Sequence, residues 1–309
     1  MNAEGDRNRP VLHTRLHKPI GAGIILSMTK AKRPTKRPFV PAQPQTGARS
    51  LADLVDAQQA SGRYTLTREE ALDALGASEE GLKKAVQRLV AKHRLAVPRR
   101  GFFVIVPIEY RDAGAPPASW FIDPLMRFHG RPYYVGLLSA AALHGAAHQQ
   151  PQEFQVVTDV QLRPAVAGRA RIRFFSKRSL GRTRTMSLKT ETGTMKVATP
   201  EATALDLLRY LAPSGHLDNV ATVLAELADR LDAHRLLEAA KAEGDLATAQ
   251  RLGYLLELVG AGAVAAGLAE WIAAERARLV ALRADRSSRR ARKDLRWRVV
   301  VNEQVEPEA

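Results

Sequence analysis

The stretch LGASEEGLKKAVQRLV, residues 75–90, decides how the N-terminal part of the chain folds. Its apolar residues recur at the spacing of a stripe along one side of a helix. They are Leu82, Ala85, Val86, Leu89 and Val90. The opposite side carries polar and basic residues, namely Lys83, Lys84, Gln87, Arg88 and Lys92. The pattern predicts an amphipathic helix, and its neighbours must show whether the basic side faces only solvent or reads DNA.

Two predicted helices precede this stretch. Ser50 is placed as the N-cap of a first helix in SLADLVDAQQASG. Thr67 and Glu70 have the spacing of a capping box at the start of a second helix. Gly76 opens a turn so short that the second and third helices form a helix-turn-helix pair, with Ser78 as the cap of the third.

A basic hairpin follows the helices. LAVPRRGFFVIVP, residues 95–107, reads as a strand, a turn at Arg99 and Arg100, and a second strand. Three helices followed by a hairpin are the order of a winged helix-turn-helix domain, so we expect one over residues 50–107. A small helical domain with no DNA role is the alternative, but it gives no reason for the helix side and the hairpin tip both being basic.

The helix caps, the basic helix side and the hairpin tip supply candidate DNA contacts, because glutamine and arginine pair with bases and basic groups bind phosphates. The predicted DNA-binding residues are Thr67, Ser78, Lys83, Lys84, Gln87, Arg88, Lys92, Arg99 and Arg100. Glu79 and Glu80 oppose this interpretation, because they suit the start of a helix but repel phosphates. They could instead accept hydrogen bonds from cytosine amino groups.

The composition also favours a polyanionic partner. The 309 residues include 47 Lys and Arg against 32 Asp and Glu, for a net charge of +15. The excess lies in three blocks: residues 1–49 hold ten basic and two acidic side chains, residues 160–190 hold nine and none, and residues 276–298 hold ten and two. The absence of cysteine excludes disulfides and thiolate zinc sites and is compatible with a cytoplasmic protein. No apolar run reaches the roughly 20 residues of a membrane span, so no membrane partner is expected.

Residues 1–49 are predicted to be a disordered basic leader, rich in proline, lysine and arginine. HKPIGAGIILSM could pass for a short signal peptide, but it lacks a small-residue cleavage site and runs into TKAKRPTKRP. Met28 is an alternative start, and loss of the segment before it should leave stability and DNA binding unchanged.

Residues 120–305 are predicted to form a larger mixed α/β domain. A helix is expected around 138–144, strands at 153–158, 170–176, 185–188 and 195–198, helices over 217–275, and a final strand in LRWRVVVN after arginine-rich coil. Thr199 and Pro200 are the cap and first residue of a further helix. The fold class is therefore α+β, an N-terminal winged helix-turn-helix domain followed by a larger mixed α/β C-terminal domain.

The catalytic candidates are weak, so the chain is predicted not to be an enzyme and to need no cofactor or metal. His144 and His148 have helical metal-ligand spacing but no accompanying glutamate motif, and Gly145 lies between them. Arg209 and His216 are interrupted by proline and glycine. The alternative is a nucleic-acid-processing enzyme whose substrate groove is the basic block at 160–190.

Four segments in order resemble the AbiEi family of bacterial antitoxins and transcriptional regulators. They are YYVGLLSAAALHGAAHQQPQEFQVV, KVATPEATALDLLRY, QRLGYLLELVG and WRVVVN. Three tripeptides carry most of the likeness, namely Leu143-His144-Gly145, Thr199-Pro200-Glu201 and Arg251-Leu252-Gly253. The likeness runs from about residue 50 to 305.

The resemblance implies a repressor that binds inverted repeats in the operator DNA of its own two-gene operon through the winged helix. It also implies that residues 120–305 are an antitoxin domain that counteracts an AbiEii-type toxin, which is similar to nucleotidyltransferases. In this family no stable complex with the toxin is required, so the resemblance does not imply direct contact with the toxin. It does not imply an oligomeric state either. The basic block supplies the predicted toxin-neutralising residues, which are Arg163, Arg169, Arg171, Arg173, Lys177, Arg178, Arg182 and Arg184.

Overall fold

Three helices and a small sheet open the chain in the computed structural model, which describes residues 48–146 and 151–307. The helices are α1 Leu51–Ala60, α2 Arg68–Leu75 and α3 Glu79–Ala91, and the strands are β1 Thr65–Thr67, β2 Leu95–Arg99 and β3 Phe102–Ile105. β3 pairs antiparallel with both β1 and β2, so the strand order is β1-β3-β2. The predicted leader, residues 1–49, lies outside the described residues except for its last two.

The predicted helix caps are confirmed. The Ser50 hydroxyl accepts from the amide of the first turn of α1 at 3.2 Å. Thr67 and Glu70 exchange hydrogen bonds of 3.1 and 2.7 Å as a capping box at α2. The Ser78 hydroxyl accepts from Gly81 at 3.2 Å, and Gly76 ends α2 in the left-handed region. These bonds satisfy amides that a helix start leaves unpaired, and they fix where α3 begins.

A six-stranded mixed sheet forms the middle of the chain. Its strands are β4 Tyr133–Val135, β5 Phe154–Thr158, β6 Ala165–Ala167, β7 Ala170–Ser176, β8 Thr185–Thr190 and β9 Gly193–Ala198. Helix α4 Ile122–Phe128 precedes the sheet, and α5 Leu137–Leu143 connects β4 to β5. The order is β6-β7-β5-β4-β9-β8, with the β5–β7 and β4–β9 pairs parallel. The four predicted strands are confirmed, whereas α4, β4 and β6 were not predicted.

Five helices and a small sheet complete the chain. They are α6 Pro200–Arg209, α7 His216–Leu227, α8 Ala233–Glu243, α9 Leu246–Leu258 and α10 Ala266–Ala274, followed by β10 Val280–Ala281, β11 Arg292–Asp294 and β12 Val299–Val301. The predicted cap Thr199 is confirmed by its 3.3 Å bond from the amide of Ala202. Arginine-rich coil was the prediction for the region of β10 and β11, but both strands pair with β12.

No helix in the described part of the chain is long and apolar enough to cross a membrane.

The hairpin of β2 and β3 belongs to two hydrophobic cores. Phe103 and Ile105 pack with α1, α2 and α3. Phe102 and Val104, on the other face of the strand, pack with the six-stranded sheet. Since side chains alternate between the faces of a strand, one hairpin can join both layers. The division into residues 50–107 and 120–305 stays a prediction about independent folding.

Gly253, in the tripeptide Arg251-Leu252-Gly253, leaves space for Trp297 of the C-terminal segment. A Cβ at Gly253 would lie 1.9 Å from the ring of the fully buried Trp297. The indole N–H of Trp297 donates to Glu257 at 2.5 Å. The Gln250 amide also donates to the carbonyl of Arg278, just before β10, at 2.8 Å and to that of Arg298, just before β12, at 2.9 Å. These contacts hold the small sheet against α9.

Candidate nucleic-acid interface and the buried lysine cluster

The outer side of α3 presents its basic residues to solvent. The five predicted residues on this side, which are Lys83, Lys84, Gln87, Arg88 and Lys92, are all exposed. Leu82 and Leu89 on the inner side are 3% and 6% exposed. Val90, the last residue of the predicted apolar stripe, is 39% exposed. Eight residues at about 100° each bring Val90 round to roughly 80° from Leu82, at the margin of the stripe.

The two glutamates at the start of α3 are partnered. The Glu79 carboxylate forms an ion pair with Arg68 of α2. Glu80 pairs with Lys84 one turn later at 3.0 Å. Both pairs are exposed, and exposed pairs contribute little and exchange readily. The acidic start of α3 is therefore compensated within the protein.

Thr67 and Ser78 act as helix caps. Their hydroxyl oxygens accept hydrogen bonds from the amides of Glu70 and Gly81. A hydroxyl that accepts at its oxygen still has its own O–H to donate. Ser78 is exposed and Thr67 is half-buried. Their predicted DNA contacts thus stay a prediction beside an observed structural role.

Arg99 and Arg100 at the hairpin tip have different environments, although the sequence analysis gave both the same role. The Arg99 guanidinium donates to the carbonyl of Arg163 and lies 6.0 Å from the ring centroid of Phe174. Burial, and then the charge of Arg163, hold the pKa of Arg99 below its usual value. Arg100 is exposed. The tip therefore rests on the six-stranded sheet through Arg99 and leaves Arg100 in solvent.

Seven of the eight predicted toxin-neutralising residues are exposed. They are Arg163, Arg169, Arg171, Arg173, Arg178, Arg182 and Arg184. Arg173 forms an ion pair with Glu153 at 3.3 Å, and Arg184 forms one with Glu238 at 3.4 Å. For Arg171 and Arg173 the alternation along β7 explains the exposure, because Ile172 between them faces the core.

Lys177 is the exception, and its assignment to the exposed basic surface is corrected. It is 3% exposed, because the chain turns inward after β7. Its ammonium nitrogen lies 2.8 Å from Asp206 Oδ1 of α6 and 2.6 Å from Glu243 Oε1 of α8. A third partner, the Tyr134 hydroxyl of β4, is 3.3 Å away. Lys177 cannot reach another protein in this conformation.

Further hydrogen bonds complete this buried lysine cluster, which we define as Tyr134, Lys177, Thr183, Asp206 and Glu243. The Tyr134 hydroxyl donates to Asp206 Oδ2 at 2.8 Å, and the Thr183 hydroxyl donates to Glu243 Oε1 at 2.8 Å. Burial raises the pKa of the Asp206 carboxyl, while the charge of Lys177 opposes the rise. Burial likewise raises the pKa of Tyr134 above its usual value.

The cluster joins the sheet to the helices behind it. Its residues come from β4, the segment after β7, α6 and α8, and all five are buried. Paired charges without access to solvent are suited to holding elements together, since a buried charge is stable only with its partners. Sequence reasoning missed the cluster, although the acidic Asp206 inside the apolar run ALDLL was a signal for it.

His144 and Arg209, two of the weak catalytic candidates, have ordinary structural partners. His144 Nε2 lies 2.8 Å from the carbonyl of Ala198, whereas His148 lies outside the described residues. Arg209 forms ion pairs with Glu243 at 3.3 Å and Asp245 at 3.2 Å. Among residues 48–146 and 151–307, no three His, Asp or Glu side chains are grouped so that they could hold a metal ion.

The comparison with family models finds a match in the middle of the chain. Residues 134–258 match the model described as the AbiEi antitoxin C-terminal domain. The predicted resemblance is thereby confirmed. The matched range includes every residue of the buried lysine cluster. No curated protein matches the chain.

Two solved structures share features with the chain. The crystal structure of the RV2827C protein from Mycobacterium tuberculosis has 16% identity and a TM-score of 0.57, over 80% of this chain and 89% of that one. The two proteins therefore have similar folds. The crystal structure of an antigenic nucleotidyltransferase-like protein from Paracoccidioides brasiliensis has 10% identity and a TM-score of 0.29, over 47% and 91% of the two chains. That likeness is too low to support an argument.

Proposed function

We propose that this chain, whose residues 134–258 match the AbiEi antitoxin C-terminal domain, is both an antitoxin of that family and a DNA-binding transcriptional repressor. Residues 50–107 form a winged helix-turn-helix domain that binds inverted repeats in the operator of its own operon. Residues 120–305 counteract an AbiEii-type nucleotidyltransferase toxin, with or without direct contact. The protein acts in the cytoplasm and is not an enzyme.

One observation supports the DNA-binding half above all others. The order α1-β1-α2-α3-β2-β3 brings a helix with a basic outer side next to a two-stranded hairpin with an exposed arginine at its tip. In winged helices the third helix enters the major groove, and the hairpin lies beside it along the backbone. The basic side of α3 is the side that faces away from the core.

The side chains on α3 suit both kinds of DNA contact. Gln87 can bond adenine through two hydrogen bonds, and Arg88 can do the same with guanine. Lys83 and Lys92 flank them along the helix and can bind phosphates, as can Arg100 on the hairpin. Base contacts would supply sequence preference, and phosphate contacts would supply most of the salt-dependent affinity.

The antitoxin half is supported by the family match and by the exposed arginines of residues 163–184. Lys177 lies among these arginines in sequence, but its buried contacts assign it to stability instead. The arginines at positions 178 and 182 follow it on an exposed segment between β7 and β8. We therefore take Arg178 and Arg182 as the first positions to test for toxin neutralisation.

The test uses two double variants in the full chain. Gln87→Ala with Arg88→Ala should abolish the footprint on the promoter of the protein's own operon and leave rescue from the co-expressed toxin intact. Arg178→Ala with Arg182→Ala should weaken rescue and leave the footprint intact. Absence of any specific footprint by the wild-type protein would contradict the repressor role, and absence of rescue by the wild type would contradict the antitoxin role.

No specific observation favours the alternative of a nucleic-acid-processing enzyme. The place where Lys177 meets two carboxylates is sealed from solvent and offers no substrate access. The alternative is tested by incubating purified protein with DNA or RNA and Mg²⁺ or Mn²⁺. We expect intact nucleic acid, and cleavage that copurifies with the protein would replace our proposal.

A further inference from the structure

Among residues 48–146 and 151–307, no strand pairs with the outer edge of β8. β8 ends the order of the six-stranded sheet, and it pairs with β9 over six residues in unbroken register. Proteins usually protect such edges with proline, bulges or several charges. Of these devices β8 has only one charge, Lys189. Met186 is 43% exposed on the same strand. This is an edge suited to receive another strand.

The hairpin geometry identifies which backbone groups point outward. Thr190 and Gly193 close a two-residue turn, and Thr199 N–H donates to the carbonyl of Arg184 at 3.1 Å. Even-numbered residues of β8 therefore bond to β9. Because hydrogen-bonding direction alternates along an antiparallel strand, the N–H and C=O groups of Thr185, Ser187 and Lys189 face away from the sheet.

We propose that a second copy of this chain pairs with this edge, β8 against β8 in antiparallel orientation, about a two-fold axis at Ser187. Outward groups must meet outward groups, so an odd-numbered residue of one copy faces an odd-numbered residue of the other. With Ser187 facing its own counterpart, Thr185 of each copy faces Lys189 of the other. Met186 of each copy then faces Leu188 of the other.

This pairing is self-complementary. Lys189 faces a threonine, so no like charges lie opposite each other in the paired strands. Each exposed Met186 gains one apolar cross-strand neighbour, Leu188 of the other copy, so the dimer contains two such pairs, and such pairs stabilise sheets. A two-fold contact uses the same surface on both copies, which an identical pair of edges satisfies. A different protein would need an edge strand whose side chains happen to suit those of β8.

The dimer would place two copies of α3 in a two-fold relation. Inverted repeats in DNA have the same symmetry, so a dimer of this kind suits an operator that contains them. This consequence rests on the proposed function, whereas the dimer itself rests on the strand edge alone. The two ideas can therefore fail separately.

Two charge-matched variants test the axis. Ser187 faces Lys196 within its own hairpin, so in the monomer the new carboxylate of Ser187→Glu lies opposite a lysine. In the dimer, however, it brings two carboxylates together at the axis, and we expect the dissociation constant to rise by about tenfold. Thr185→Glu adds the same charge but faces Lys189 of the second copy. That variant should dimerise at least as tightly as the wild type.

The measurement is sedimentation equilibrium of the full chain without DNA, with circular dichroism to check folding. A wild-type protein that stays monomeric at about 100 µM, a weak limit for a specific dimer, overturns the proposal. A dimer indifferent to Ser187→Glu overturns it as well, because another surface must then be responsible. Dissociation by Thr185→Glu alone overturns the axis at Ser187. Operator binding is measured separately, so a dimer that binds no operator contradicts the proposed function and not this pairing.

Discussion

The basic side of α3 and the segment after β7 have similar compositions, but their charges have different environments. On α3 every predicted basic residue is exposed, and an apolar stripe on the other side anchors the helix. After β7, Lys177 is buried with two carboxylates, while the next residue, Arg178, is exposed. A basic stretch of sequence thus forms a basic surface only where the local geometry exposes all of its side chains to solvent.

The difference separates binding from stability. Charges on α3 can be removed without disturbing a core, so their loss should be visible in DNA binding. Removing the charge of Lys177 would leave Asp206 buried without a cation and Glu243 with Arg209 as its cationic partner. Replacing Lys177 should therefore cost more stability than replacing any basic residue of α3.

Replacement of Lys177 should have the largest effect on stability. Lys177→Met keeps much of the side-chain volume but leaves Asp206 buried without a cation, and Glu243 with Arg209 alone. Breaking a buried ion pair by removing one partner costs roughly 3–5 kcal/mol. The exposed neighbour provides the control, since Arg178→Met should change the free energy of unfolding by less than about 0.5 kcal/mol. Urea unfolding measures both, and equal stability of the two variants would contradict the contrast.

On α3 stability should come from the apolar side. Leu89→Ala removes a buried side chain and should cost roughly 2–5 kcal/mol. Val90→Ala is the matched control at the next position, and it should cost much less because Val90 is 39% exposed. The same unfolding experiment compares them. Similar costs at both positions would mean that Val90 is covered in solution, for example by a partner.

DNA affinity should depend on the outer side of α3. Gln87→Ala or Arg88→Ala should each weaken operator binding by about 1–3 kcal/mol and relax the sequence preference at one base pair. Neither should change the unfolding midpoint, because both side chains are exposed. Binding to operators with single base changes, followed by fluorescence anisotropy, measures the effect. Unchanged affinity in both variants would show that α3 is only a solvated helix.

Local features of the fold were predictable from the sequence. The caps at Ser50, Thr67 and Ser78 each act on an amide three residues away, so their patterns lie within a few letters. β4 was missed because all three of its residues are buried, and a strand covered on both faces lacks the alternation that identifies strands.

The candidate sites were predictable only in part, because their decisive contacts join distant parts of the chain. Lys177 meets Asp206 and Glu243 across 29 and 66 residues, and Arg99 meets Arg163 across 64. Charge counting can find a basic block, but it cannot show which member turns inward. That depends on where β7 ends relative to α6 and α8, which no local pattern encodes.

The hairpin tip provides the smallest and sharpest test of the contrast. Arg100 resembles the residues of α3, since it is exposed, whereas Arg99 is held like Lys177, though less completely. If Arg100 binds one phosphate, Arg100→Ala should reduce the slope of log affinity against log salt by about 0.9. Arg99→Ala should leave that slope near the wild-type value and instead lower stability by about 1 kcal/mol, because it removes the hydrogen bond to Arg163. Operator binding across a salt series and urea unfolding of both variants distinguish these effects. Equal changes in slope for the two variants would mean that Arg99 leaves the Arg163 carbonyl to bind DNA, and that the docked tip is a conformation of the free protein only.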